Sequence, residues 1–280
     1  MWLHWHYSLG ISIVFAIAAT HLRRTRQRPG LRSLVTELSI MFGLYTLWRV
    51  CGMLSVMGVE HAVSRGHGVW TFERAVHLPN EVRIQAWVLQ HHWLVRGANF
   101  YYAIFHAPAL GAFLLWLYVR RRDIYPVVRT TLGLVTFACL AVQLVPVAPP
   151  RMFPQFGFVD TGRLYGPEVY DAALGPNSFN QLSAMPSVHV GWAVLIGWFA
   201  WRHSTSRWRW VAVAHAVLTV FVVTVTANHW LLDGIVAVAF IVLGHQLSTA
   251  VDRLVATRRF RLQIQSVGMS EVNATTSTIR

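Results

Sequence analysis

The chain has no lysine: all 24 basic residues are arginine, against 11 acidic residues in 280. It is poor in charge altogether, at 12% of residues, and has only two cysteines, Cys51 and Cys139, each inside an apolar run. Two cysteines so placed exclude a disulfide framework and a cysteine-rich zinc site, and they read as buried packing residues. The scarcity of charge leaves no room for a soluble domain of ordinary size, because 55% of the residues are hydrophobic and 13 are tryptophan. What remains is a set of segments apolar enough to cross a bilayer. The formal net charge of +13 does not point to nucleic acid, and no such partner is expected. Its arginines cluster in short connections between apolar runs, where they set topology and meet anionic lipid heads. No internal repeat is evident.

The pattern predicts an all-α polytopic membrane helix bundle with six to seven transmembrane helices. The first apolar run, Tyr7 to Leu22, is followed by Arg23, Arg24, Arg26, Arg28 and Arg32. It reads as a retained span, since a secretory signal carries its positive charge before the apolar core. The second runs roughly from Leu34 to Val56, with Glu37 and Arg49 as bundle-facing or end-anchoring residues. From Gly58 to Gly97, residues such as Trp70, Phe72 and Trp87 are separated by polar ones, which predicts one or two helices along the membrane surface. Ala98 to Val119 and about Val127 to Val147 are the third and fourth spans. The loop Arg151 to Met185 is punctuated by Pro and Gly, has no periodicity and is long enough to cap a site. Pro186 to Trp201, about Trp210 to Ala227, and a run from His229 or just after to about Ala250 complete the set. A single transmembrane catalytic domain over 1–255 is expected, followed by a disordered cytoplasmic tail over 256–280.

Arginine clusters follow the first, third, fifth and seventh spans. By the positive-inside rule those ends, and the C-terminus, face the cytoplasm. The surface helices, the Arg151 to Met185 loop and the junction at His229 then share the opposite face. The expectation is an integral protein of the plasma membrane with its site on the non-cytoplasmic side.

Two stretches meet on that face: Ala184-Met185-Pro186-Ser187-Val188-His189 and Asn228-His229-Trp230-Leu231-Leu232-Asp233. His229 and Asp233 are one helical turn apart and share a face. A neutral imidazole is a nucleophile toward phosphorus, and a carboxylate on its other nitrogen fixes the tautomer and stabilises the cation formed by attack. His189, protonated, suits the general acid that meets the departing oxygen. Pro186 reads as a first helical residue, so the amides of Ser187, Val188 and His189 would face an anion, with the Ser187 hydroxyl as a further donor; Ser187 as a simple helix cap is the competing reading. Arg151 offers a planar fork for phosphate oxygens, or else anchors its loop. Together these residues specify phosphoryl transfer through a phosphohistidine, with no metal and no cofactor called for.

Met185-Pro186-Ser187-Val188-His189 resembles the second block of the type 2 phosphatidic acid phosphatase superfamily, and His229 with Asp233 resembles its third. The resemblance implies the nucleophile at His229, its orienting carboxylate at Asp233, the general acid at His189, and phosphate contacts from Ser187 and Arg151. The usual first block contains a lysine, which is absent here; Ala148-Pro149-Pro150-Arg151-Met152 stands in its place, and Val222-Val223 replaces the usual Ser-Arg of the third. These departures, with Tyr101, Tyr102, His106 and Pro108, are similar to the branch of inositol phosphorylceramide synthase catalytic subunits and their bacterial relatives. Arg163 or Arg96 would then replace the missing phosphate-holding residues. The resemblance spans roughly Tyr101 to Leu247.

The expected partners are a membrane lipid bearing a phosphate or phosphodiester and an acceptor that is either an alcohol or water. An alcohol makes the protein a phosphotransferase, and water makes it a lipid phosphatase. A proton-coupled transporter is the alternative of another class, with the His and Asp as a relay.

Overall fold

A computed structural model describes residues 4–25, 29–54, 61–167 and 182–278. Among them the chain is all-helical: α1 (Trp5–Arg24), α2 (Pro29–Leu54), α3 (Ala62–Ala75), α4 (Glu81–Leu89), α5 (His92–Ile104), α6 (His106–Arg120), α7 (Tyr125–Gln143), α8 (Thr161–Tyr165), α9 (Val188–His203), α10 (Arg209–Val225) and α11 (Leu231–Thr278).

Each expected span falls on helical backbone, the third on two helices. Among the described residues three helices are long and apolar enough to cross a membrane, namely α1, α7 and the Leu231–Leu254 part of α11, and α5 and α6, bent by 51° at their junction, make a fourth if taken as one span, which is fewer than the six to seven expected. Two of the shortfalls are matters of length. Helices α9 and α10 have 16 and 17 residues, or about 24–26 Å at 1.5 Å per residue, less than the roughly 30 Å hydrocarbon core. Helix α2 has the length, with 26 residues, but carries Arg32, Glu37 and Arg49. The tail expected to be disordered has helical backbone as far as Thr278.

The first two helices form a hairpin held by small polar residues. Ser8 Oγ and Thr46 Oγ1 lie 2.8 Å apart in a buried contact, and Ser12 and Ser39 each donate to the other's carbonyl. Glu37 joins the hairpin to α7, accepting from Tyr125 Oη at 3.0 Å and pairing with Arg129 at 2.5 Å, so it faces the bundle as expected. The main core joins α6, α7, α9 and α11 through Leu117, Val128, Leu132, Val135, Leu195, Phe199 and Ile241. Cys139 is buried in it as a free thiol; the Cys51 side chain lies outside the described residues.

Glycines let the helices close at the end that matters. A Cβ on Gly191 would meet Ala237 at 3.6 Å, and one on Gly234 would meet Val190 at 3.4 Å, so α9 and α11 cross tightly just beside His189 and Asp233. The opposite end gathers the arginines: Arg121, after α6, donates to the carbonyl of His203 at the end of α9, and Ser248 of α11 reaches Val127 at the start of α7.

Candidate active site

The site is built where α9 and α11 begin and α7 and α10 end. Past the end of α10, Ala227 adopts φ 53° and is fully buried. Left-handed backbone of this kind is rare outside glycine and is held only when the surroundings over-determine it. Here they do: its amide donates to Thr224 and its carbonyl accepts from the amide of Arg151 at 2.9 Å. The amides of Asn228 and His229 both turn back to the carbonyl of Val223. Arg151 is buried, and its Nη1 donates to Asn228 Oδ1 at 2.8 Å. The arginine is therefore tied by backbone and side chain to the residues that carry His229.

Three carboxylates hold the first turn of α11, whose leading N–H groups have no acceptors within the helix. Asp233 Oδ2 accepts from the Trp230 amide at 2.8 Å, the reciprocal half of a capping box. Glu81 Oε1 accepts from Leu231 N at 2.8 Å, and Glu73 Oε1 from Leu232 N at 2.7 Å. Both glutamates are buried; Arg74 stands 3.6 Å from Glu81 and 3.9 Å from Glu73. Burial, and then the neighbouring Glu73 carboxylate, push Glu81 up to about 9, while burial raises Glu73 against the hydrogen bond from Leu232. Burial therefore favours a protonated Glu81 at neutral pH.

His229, 5% exposed, precedes this helix. Its Nδ1 lies 2.6 Å from the carbonyl oxygen of Ala184 and 3.4 Å from Asp233 Oδ2. A carbonyl only accepts, so Nδ1 carries the proton and Nε2 presents a lone pair. That nitrogen faces His189 Nδ1 at 3.3 Å. Burial pushes the His229 imidazole down to about 4; the Ala184 carbonyl works against this and the Arg151 charge adds to it. The ring is neutral at pH 7.

His189 lies in the first turn of α9 and touches the rings of Tyr102 and His106, with centroids 4.7 and 4.6 Å away. The helix begins at Val188, not at Pro186. Ser187 is its cap, with Oγ accepting from Val190 N at 3.2 Å and its own amide donating to the Asp233 carbonyl at 3.3 Å. The capping role is thus real and also ties α9 to α11.

The structure therefore brings together His229, Asp233, His189, Ser187 and Arg151. Arg163 stands apart: its side chain is exposed on α8, its amide is capped by Asp160, and among the described residues no bond joins it to the histidines. Sequence reasoning missed Glu73, Glu81, Asn228 and the Ala184 carbonyl, and it gave His106 no role. An open cleft of about 700 Å³ between α1 and α2, lined by Thr20, Arg23, Arg32 and Glu37 among others, holds none of the site residues.

Residues 67–247, more than half of the chain, match the PAP2 superfamily. The chain belongs to that superfamily, which supports a phosphatase- or phosphotransferase-type activity. The match starts within α3 and ends within α11, so it encloses every residue of the site just described. No curated protein and no solved structure matches the chain.

Proposed function

We propose that the protein is an integral-membrane phosphoryl-transfer enzyme that moves the phosphoryl group of a lipid phosphate or phosphodiester onto His229 and then to an alcohol, as an inositol phosphorylceramide synthase-like phosphotransferase does. The observation that carries this reading is the lone pair of His229 Nε2 facing His189 Nδ1 at 3.3 Å, with the far nitrogen of His229 held by Ala184. In the first half-reaction Nε2 attacks phosphorus, the bond from phosphorus to the alcohol oxygen breaks, and that oxygen takes a proton from protonated His189. The charge formed on the His229 ring faces Asp233. In the second half the acceptor hydroxyl gives its proton to His189, attacks phosphorus and breaks the N–P bond. Arg151 holds phosphate oxygens beside the His229 junction, Ser187 still has its hydroxyl proton to donate, and Arg163 meets the outer part of the substrate.

Water in place of the alcohol makes the same machinery a lipid phosphate phosphatase, acting on phosphatidic acid or a polyprenyl diphosphate, a reading the superfamily supports equally. The site lies at the bundle end opposite Arg121, His203 and Ser248, which supports a non-cytoplasmic site and a cytoplasmic C-terminus.

The test uses purified protein in mixed micelles containing EDTA, with phosphatidic acid, polyprenyl diphosphate or phosphatidylinositol as donor, each with and without inositol or a lipid alcohol. Turnover that needs the alcohol marks the transferase, and phosphate release without it marks the phosphatase. Absence of any difference from His229→Ala across all donors sinks both.

A further inference from the structure

His106 opens α6 at the 51° bend with α5. It is 6% exposed, and neither Nδ1 nor Nε2 has a hydrogen-bond partner. An imidazole with both nitrogens buried and unpaired is an exception that calls for a cause. Its ring lies against His189, centroid to centroid 4.6 Å at 62°, and its other ring neighbours are Tyr101, Tyr102 and His215. The contact with His189 places His106 on the His189 side of the centre.

The position has a chemical meaning. His229 Nε2 approaches phosphorus from one side, so the oxygen that leaves and the oxygen that later enters occupy the opposite side in turn, next to His189. At 3.3 Å the two catalytic imidazoles touch directly, and an arriving phosphoryl group must part them, which turns the His189 proton toward that oxygen. His106 flanks the same place. A neutral imidazole offers one donor and one acceptor; a hydroxyl group both donates and accepts, whereas phosphate oxygens only accept. The surroundings continue the polarity, since the Tyr101 hydroxyl lies 2.5 Å from His215 Nδ1 and 3.1 Å from Thr219 Oγ1.

We infer that His106 is the third imidazole of the reacting centre and hydrogen-bonds the oxygen that leaves and the hydroxyl that later enters beside His189. This deepens the phosphoryl-transfer reading above and rests on it.

The experiment uses the full chain in mixed micelles with ³²P-labelled phosphatidic acid as donor and glycerol as the hydroxyl probe, and it compares wild type, His106→Phe, His106→Asn and His229→Ala. Rapid quenching reads label on the protein, and product analysis reads glycerol phosphate against inorganic phosphate. In His106→Phe the KM for glycerol rises about tenfold and discharge of the label from the protein, to glycerol and to water alike, slows by a similar factor, the size of one hydrogen bond. Asn, which can donate and accept, recovers part of both. An unchanged KM for glycerol together with unchanged discharge in His106→Phe, or no recovery by Asn in a variant that melts like wild type, overturns the inference. Wild-type protein that takes no more label than His229→Ala overturns the phosphohistidine reading itself, and is recognised without reference to any His106 variant.

Discussion

The carbonyl oxygen of Ala184 accepts the Nδ1 proton of His229 at 2.6 Å, closer than Asp233, whose Oδ2 stands 3.4 Å away. A main-chain atom from the block that carries His189 therefore fixes the tautomer of His229. The aspartate lies beside the ring and, through the Trp230 amide, holds the start of α11. The two catalytic blocks are thereby joined through each other's backbone, since the Ser187 amide returns a bond to the Asp233 carbonyl.

Asp233→Asn keeps an oxygen for the Trp230 amide, so the fold survives, but removes the carboxyl group that can balance the charge formed on His229 when it attacks phosphorus. Turnover falls on the order of 10²-fold, the scale of losing one preorganised electrostatic contact. Ala184 still sets the tautomer, so the loss is smaller than in His229→Ala. Steady-state rates in mixed micelles, with a thermal melt as the folding control, check this; a rate within about twofold of wild type contradicts the role of the charge.

The pH dependence of protein labelling follows from the burial of His229. An ordinary imidazole titrates near 6.5, but His229 is held down at about 4. The acid limb of kcat/KM for phosphoenzyme formation therefore lies near pH 4. Arg151 contributes to that depression, so Arg151→Gln moves the limb to higher pH as well as weakening phosphate binding. A wild-type limb near pH 6.5 rules out the buried neutral nucleophile.

Much of the candidate site was legible because its parts are local. His229 and Asp233 are four residues apart, and Ser187 and His189 sit in one short block, so each pair is close in space because it is close in sequence. The apolar runs were equally plain, and each became helical, the third as two helices. What spacing could not show is contact across the chain: Glu81 meets Leu231 at a separation of 150 residues, and Glu73 meets Leu232 at 159. Nothing local to either glutamate announces a helix start that distant. His106 was visible only through similarity, because an unpaired nitrogen is a property of packing. Span number was less legible, since apolar content does not report that α9 and α10 have only 16 and 17 residues.

The glutamate pair makes stability depend on pH in a defined direction. Glu81, titrating at about 9 in the folded chain, keeps a proton that the unfolded chain releases near 4.5. Its contribution is complete below that lower value and is lost as pH rises through about 9. The depressed His229 has the opposite slope, confined to the window from about 4 up to 6.5, so the interval from pH 7 to 9 isolates the glutamates. Over it the Tm falls by about 4 °C or more, as a loss of roughly 1–2 kcal/mol does in a chain of this size. Glu81→Gln, which keeps an oxygen for the Leu231 amide, flattens the fall. Equal slopes in the two proteins refute the assignment.

Gly66 marks the seat of α3. A Cβ there would lie 2.6 Å from Phe153 Cζ and 2.7 Å from the Ala148 carbonyl, whereas Gly68 on the same helix has nothing within 4 Å. Gly66→Ala costs about 1–3 kcal/mol by overpacking. Gly68→Ala leaves stability unchanged or raises it by up to about 1 kcal/mol through helix propensity. Paired thermal melts decide, and similar melts for the two variants contradict a close contact between Gly66 and Phe153.

The two glutamate bonds also fix an order of assembly. Residues 73 and 81 leave the ribosome long before residues 231 and 232, so the carboxylates must wait for their amides while α5 to α10 are made. Closing loops of 150 and 159 residues is entropically slow relative to pairing neighbouring helices. The reacting centre is thus the last part of the molecule to form. A nascent chain stalled before Leu231 has made His229 but lacks α11 and with it Asp233, so the imidazole has no carboxylate beside it.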